Sequence, residues 1–283
     1  MRWRERDRVR WLEADLPGAR AAFSTRLGGV SDGPFKSLNL GRLTGDRLDA
    51  VRENRHRLAA AIAIDPGHVL IGRQIHGAEV ARHDQPTEPG AYANPAPGLP
   101  AADGHATARP GLVPLVFVAD CLPVALAGPG GVAMIHCGWR GLAAGIVERG
   151  VEQVDARAAA VGPGIGPCCY EVGDEVLAAF EPLGPDVADG RMLNLRQAAG
   201  RLLQRAGVQS VEVSEECTSC QPELFFSHRR DGERTGRQAG LVWASDEVAV
   251  QTAEPAAPSA PEPAGNVGEA EASGGVIPEE AAE

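Results

Sequence analysis

Three short apolar runs crowd the middle of the chain: 112–119 (LVPLVFVA), 122–127 (LPVALA) and 131–136 (GVAMIH). They are separated by turns and are too short for ordinary helices. Each therefore reads as a strand buried on both faces, and together they predict adjacent central strands. Residues 20–25 and 68–75 read as further strands. Residues 48–63 carry Leu, Val and Ala at helical spacing. Residues 142–156, 174–181 and 194–206 also read as helices, with Gly207 stopping the last. The segments 223–230 and 236–244 flank Asp231-Gly232, a hairpin signal. The sum is a mixed α/β domain ending near residue 248.

With 283 residues, the chain can bury one large core or two small ones. No apolar run approaches bilayer length, and the N-terminal MRWRERDRVRW lacks the apolar stretch of a secretory signal. The expectation is a cytoplasmic protein with no membrane partner. The net charge of -11 is uneven: seven glutamates and no basic residue lie in 251–283, and removing them leaves 31 acidic against 27 basic residues. No basic block with interleaved aromatics is present, which argues against a nucleic-acid partner. Residues 249–283 are rich in Ala, Pro, Gly and Glu and are expected to be a disordered tail. Residues 84–101 form a long Pro/Gly-rich loop, functional or mobile. Six cysteines in a chain of this length without an export signal do not suggest a disulfide framework.

The polar residues fall at strand ends. His76 closes RQIHG, Cys121 sits at the break in VADCLP, and His136 ends MIH. Ends of neighbouring strands are where α/β sheets gather their sites. Two imidazoles and a thiolate suit zinc with an open fourth position, the catalytic arrangement. The same residue types at strand ends can equally be inert and satisfied. The residues alone leave both readings open. STRLGGVSDGPFKSLNLG, residues 24–41, places Arg26 among glycines and hydroxyls, a backbone that can approach an anion. Cys168-Cys169 and the CxxC of Cys217 and Cys220 lack the second CxxC of a zinc ribbon and read as packing residues. His228, Arg229 and Arg230 read as a solvated hairpin end or a substrate-facing rim.

FSTRLGGVSDGPFKSLNLG, QIHG, VADCLPV, IHCGWRG, GPGIGPCCYEVG and FFSHRRDGERTGRQA occur in this order. Together they resemble the laccase-domain family, also called the multicopper polyphenol oxidase or peptidoglycan-editing-factor family, over roughly residues 20–245. The resemblance implies a single layered α/β/β/α domain, similar to the cytotoxic necrotizing factor catalytic domain. It implies a zinc-dependent enzyme that phosphorolyses adenosine, inosine, guanosine and methylthioadenosine and deaminates adenosine. The implied metal ligands are His76, Cys121 and His136, with copper as an alternative metal. Arg26 and Cys121 carry over as catalytic residues, and Arg26, Asn39, Arg140 and Arg229 as substrate-binding residues. Asp103, Asp120 and Glu171 are the carboxylates that could pass protons. A monomer acting on a purine nucleoside and phosphate is expected. The sequence departs from the family pattern at Cys137, where alanine is usual, and at His105, so Cys137 is read as incidental.

Other chemistries compete. A copper oxidase of phenols would need more histidines than the seven scattered here. A metal-free thiol hydrolase acting on cell-wall precursors would use Cys121 as nucleophile and His136 or His76 as base. A binding module with a structural metal would need a fourth protein ligand.

Overall fold

The charged N-terminus is a β-hairpin. β1 (Arg2–Arg6) and β2 (Val9–Leu16) join through Asp7-Arg8, whose φ angles of 51° and 68° match the tight turn that fits strand twist. Arg2 and Arg4 of the exposed β1 both bond Glu13 across the pair, at 3.0 and 3.2 Å, so the sheet edge is charged rather than sticky. The computed structural model describes residues 1–85, 90–93 and 98–245. The expected disordered tail over 249–283 lies outside the described residues, as does part of the 84–101 loop.

β3 (Ala19–Ser24), α1 (Leu48–Ile62), β4 (Val69–Leu70), β5 (Val80–Arg82) and β6 (Gly104–Thr107) follow in order. Then come β7 (Val113–Val118), β8 (Leu122–Gly128), β9 (Gly131–Cys137), α2 (Trp139–Ala143), α3 (Ile146–Val154) and β10 (Ala158–Val161). The chain continues through α4 (Asp174–Phe180), β11 (Ala188–Asp189), β12 (Met192–Leu193), α5 (Leu195–Arg205), β13 (Ser210–Val213), α6 (His228–Asp231) and β14 (Gln238–Ala244). Among the described residues these strands make two six-stranded sheets, β1-β2-β3-β14-β7-β4 and β13-β10-β8-β9-β6-β5, and a short β11-β12 ribbon.

The period-2 pattern of the strands decides how the layers stack. On β8, Leu122, Val124 and Leu126 join a core with Val147 and Val154 of α3 and Leu203 of α5. Ala125 and Ala127 point the other way and meet Phe23, Val116, Val118 and Val242 of the first sheet. The outer face of that first sheet is covered by α1, whose Leu58 and Ile62 share a cluster with Trp11, Leu115 and Leu241. The order is helix, sheet, sheet, helix, the α/β/β/α layering expected.

Several expectations are corrected. β7 does not neighbour β8: it lies in the first sheet, between β14 and β4, and the chain crosses to the second sheet at Ala119–Cys121. A strand buried on both faces looks the same in sequence whichever sheet receives it. The 68–75 strand shrinks to Val69–Leu70. The 142–156 helix is two helices, broken at Gly145 with φ 86°. No hairpin forms at Asp231-Gly232: His228–Asp231 is one helical turn, N-capped by Ser227 accepting from the Arg230 N–H at 3.2 Å.

Candidate metal centre and its cavity

The crossing between the sheets builds the site. Cys121 stands where the chain enters β8, and His136 lies near the end of its antiparallel neighbour β9, in register with Pro123. Met134 faces the inter-sheet core and Ile135 the helices, so the pleat sends His136 to the seam and Cys137 into the helix-side core. Cys137 is fully buried there, and burial raises its thiol well above the usual value. His76 arrives from the β4–β5 connection. Its approach is pinned by Gln74, whose amide accepts from the Phe117 N–H and donates to the Phe117 carbonyl, both at 2.8 Å. The ligand atoms of His76, Cys121 and His136 all lie within 4.8 Å of one another.

Asp103 organises this trio. Its buried carboxylate accepts the backbone N–H groups of Ile75, His76 and Gly77 at 3.0, 2.9 and 2.8 Å. It also bonds His136 Nδ1 at 2.9 Å. The carboxylate thus fixes the path of the His76 loop and the tautomer of His136, leaving Nε2 as the donor atom. Burial raises the Asp103 pKa, but the His136 and backbone N–H groups outweigh it and hold the group below its ordinary value. Cys121 is likewise raised by burial but drawn below a normal thiol by the two imidazoles, and His136 is raised by the thiolate and Asp103 against its own desolvation.

The backbone is strained where it carries these groups: His76 has φ 60° and Asp120 has φ 93°. A Cβ at Gly138 would stand 3.0 Å from Cys121 Sγ and 3.2 Å from His76 Cδ2. Only glycine lets the turn after β9 close over both ligands. A convergent thiolate and two imidazoles, with a carboxylate behind one of them, fit a zinc ion with one coordination position left open.

The trio opens into a cavity of about 510 Å³. Arg42, Arg55, Arg73, Arg229 and Arg237 line it, against Asp120 as the one acidic residue among its described walls. Arg55 is almost wholly buried, stacked 5.0 Å from the ring centroids of both Tyr92 and Phe117, and donates to the Leu40 and Tyr92 carbonyls at 2.9 and 2.8 Å. Desolvation lowers its pKa to about 10, which leaves it cationic at neutral pH. Arg42 Nε is buried with no partner among the described residues. A buried donor without an acceptor costs free energy unless a ligand supplies one. Five arginines against one carboxylate make the described lining of the cavity electropositive.

The expected site residues divide. Arg229 lines the cavity, lies over Tyr170 at 5.1 Å and donates to the Glu171 carbonyl at 2.8 Å. Arg140 is exposed, over Trp139 at 4.5 Å, and is not among the lining residues. Arg26 also stands apart from the lining: it donates to the Lys36 and Pro222 carbonyls at 2.7 and 2.9 Å and covers Phe226. Asn39 is buried behind the wall, accepting the N–H groups of Gly41 and Arg237 at 3.0 and 2.9 Å. Asp120 accepts the Thr218 hydroxyl at 2.6 Å and the Arg229 N–H at 2.7 Å, so both oxygens are engaged. Glu171 is exposed, 3.9 Å from Arg191.

Arg55, Arg42, Arg73 and Arg237 were missed in the sequence. Arg55 carried a signal, because it interrupts the buried stripe Val51, Leu58, Ile62 of α1. The others sit on connections whose approach to one another only the fold reveals.

Residues 20–245 match the family described as multi-copper polyphenol oxidoreductase laccase. The purine nucleoside phosphorylase YlmD of Geobacillus stearothermophilus is 36% identical over 261 residues, covering 84% of this chain and 95% of its own. The purine nucleoside phosphorylase YfiH of Escherichia coli is 39% identical over 239 residues, covering 80% and 94%. The crystal structure of YlmD superposes with a TM-score of 0.77 at 34% identity, covering 86% of this chain and 99% of that one. The hypothetical protein YfiH of Bacillus licheniformis gives 0.77 at 32% identity, with the same coverage of both chains. By motif order, layering and these similarities, the chain belongs to the multi-copper polyphenol oxidoreductase laccase family.

Proposed function

We propose that the chain is a zinc-dependent purine nucleoside phosphorylase, acting on adenosine, inosine, guanosine or methylthioadenosine, that also deaminates adenosine. The observation that carries this reading is the opening of a three-ligand His/Cys/His trio into an arginine-lined cavity. The relatives' name, purine nucleoside phosphorylase, agrees with its phosphorolysis part.

In phosphorolysis a phosphate oxygen bonds C1′ of the ribose while the glycosidic C–N bond breaks and the purine leaves with the electron pair. Arg229 and Arg237 on the cavity wall, with Arg42 and its unpaired Nε, would hold phosphate. Tyr170 and Phe117 supply apolar faces for a purine ring. His76, Cys121 and His136 would hold the metal, and Asp103 would keep His136 aimed at it. When bound, the ion supplies Lewis acidity beside the substrate. Asn39 and Arg26 act as positioning residues: Asn39 fixes the backbone at Arg237, and Arg26 ties the 36–37 turn to Pro222.

Product chromatography tests the proposal. The purified protein, incubated with adenosine, should release adenine only when phosphate is present, and inosine with or without it. No product from folded, zinc-loaded protein overturns the reading. Metal analysis of the same sample decides between zinc and copper. The metal-free thiol alternative predicts that activity survives chelation and dies on alkylation of Cys121; the zinc reading predicts loss on chelation and recovery with zinc.

A further inference from the structure

Five of the six cysteines have no part in that chemistry, yet the fold gathers four of them, Cys168, Cys169, Cys217 and Cys220. Cys168 and Cys169 sit in the turn after β10, closed by the Cys169 N–H donating to the Gly166 carbonyl at 3.0 Å. Cys217 and Cys220 lie between β13 and α6. The two connections run side by side: Gly164 bridges Cys217, and the Thr218 N–H donates to the Gly164 carbonyl at 3.1 Å. All four Sγ atoms lie within 4.8 Å of one another, with Cys220 Sγ 3.3 Å from both Cys168 Sγ and Cys169 Sγ.

We propose that Cys168, Cys169, Cys217 and Cys220 form a second metal site, a closed tetrathiolate centre for one zinc ion, which staples the connection that carries Tyr170 to the one that leads into α6 and its Arg229.

Three observations support it. The spacing is that of a single ion: four sulfurs at about 2.3 Å from zinc in a tetrahedron stand roughly 3.8 Å apart. Next, Cys217 Sγ accepts the Gly166 N–H at 3.1 Å, a backbone bond that favours thiolate over thiol. A Cβ at Gly166 would stand 3.2 Å from both Cys168 Sγ and Cys217 Cβ, so the turn is shaped around the sulfurs. Finally, a cation lies beneath. Arg196 is buried and donates to the Glu215 and Gly164 carbonyls, both at 3.0 Å, which binds the two connections under the cluster. Zinc with four thiolates carries a net negative charge, and the Arg196 guanidinium offsets it.

On loading, each thiol gives up its proton to solvent as its sulfur takes the metal, with no change of oxidation state. The adjacent pair hid this site in the sequence. A ribbon needs two CxxC units, whereas here a tight turn lets neighbouring residues serve in place of the second.

The test counts metal in the full-length protein, purified under reducing conditions with zinc supplied. The wild type should hold two equivalents of zinc, and Cys121→Ser and the double variant Cys217→Ser/Cys220→Ser should each hold one less. Cobalt loaded into Cys121→Ser should give the intense visible bands of a tetrahedral thiolate site. Equal zinc content in wild type and the double variant overturns the proposal, as does cobalt without thiolate absorption. If the double variant does not fold, alkylation of wild-type protein decides. Peptide mapping should find the four cysteines protected together and exposed together by a chelator. Free reaction of any of them in the metal-loaded protein, or a disulfide among them, overturns the site.

Discussion

The two sulfur-containing clusters differ in what surrounds them. The His76–Cys121–His136 trio has three ligands, a buried carboxylate behind one of them, strained backbone at His76 and Asp120, and a cavity in front. The Cys168–Cys169–Cys217–Cys220 cluster has four ligands, Cys168 and Cys220 exposed, and no part in the cavity lining. The first arrangement leaves a position for substrate and the second leaves none. Ligand number and placement thus separate a centre for reaction from one for structure within a single domain.

The largest expected effect breaks the first centre. Cys121→Ala should reduce phosphorolysis and deamination to background and lose one equivalent of metal, while thermal stability changes little. Product chromatography and metal analysis on one preparation check this. Activity surviving without the metal would sink the metal mechanism. Asp103→Asn is next. It keeps the ligands but sets an amide among four donors, and should weaken metal binding by about 10–100-fold. A competition titration against a chromophoric chelator measures it, and an unchanged affinity would show that Asp103 does not orient His136.

The same carboxylate sets a pH dependence. Its native pKa lies below the ordinary value near 3.9, so it binds fewer protons in the folded than in the unfolded chain. Its contribution is present in full above about pH 4 and is lost as pH falls through the lower native value. Denaturant unfolding of metal-free protein should show the gap between wild type and Asp103→Asn narrowing as pH falls below about 4, a range in which His136 stays protonated. A gap that widened on acidification would contradict the hydrogen-bonded carboxylate. The second centre gives the opposite profile to Cys121→Ala. Cys217→Ser/Cys220→Ser should lower Tm by about 5 °C or more, the equivalent of roughly 2 kcal/mol in a domain of this size, and change kcat less than Cys121→Ala does. A double variant with unchanged Tm would make the cluster a site without a structural role.

The two clusters also differ in how plainly the sequence displays them. His76, Cys121 and His136 each end or break an apolar run, so strand boundaries point at them before any fold is known. Runs such as LPVALA show that their strands are covered on both faces, whereas the α/β/β/α order of layers came from the family resemblance. Which sheet each run joins was not legible: β7 and β8 are alike in composition, and the crossing between them depends on Asp120 taking a left-handed conformation. Asp103 was legible only as one of three carboxylates that could pass protons, not as the group that orients His136. It is one acid in a small-residue stretch, and its role lies in three N–H groups nearly thirty residues upstream and a histidine ring beyond. The four cysteines read as separate packing residues in the sequence because they come together only where two connections run side by side.

The smallest expected effect sharpens the division between residues that face the cavity and residues that hold it. Arg229 and Arg26 are both arginines in motif stretches that suggest an anion site, and both have a guanidinium donating to carbonyls. Their surroundings differ. Arg229 covers Tyr170 on the cavity wall, whereas Arg26 covers Phe226 and bridges Lys36 to Pro222. Replacing Arg229 by Met removes a cation from the anion's surroundings and should raise KM for phosphate by about tenfold, the size of one charge-assisted hydrogen bond. Replacing Arg26 by Met removes two bonds to carbonyls and a ring contact. That should appear as about 1–2 kcal/mol of lost stability and a smaller change in KM. Steady-state kinetics with phosphate varied, beside urea unfolding of the same two variants, separates the outcomes. A larger KM effect at Arg26 than at Arg229 would move phosphate out of the cavity described here, toward the 36–37 turn.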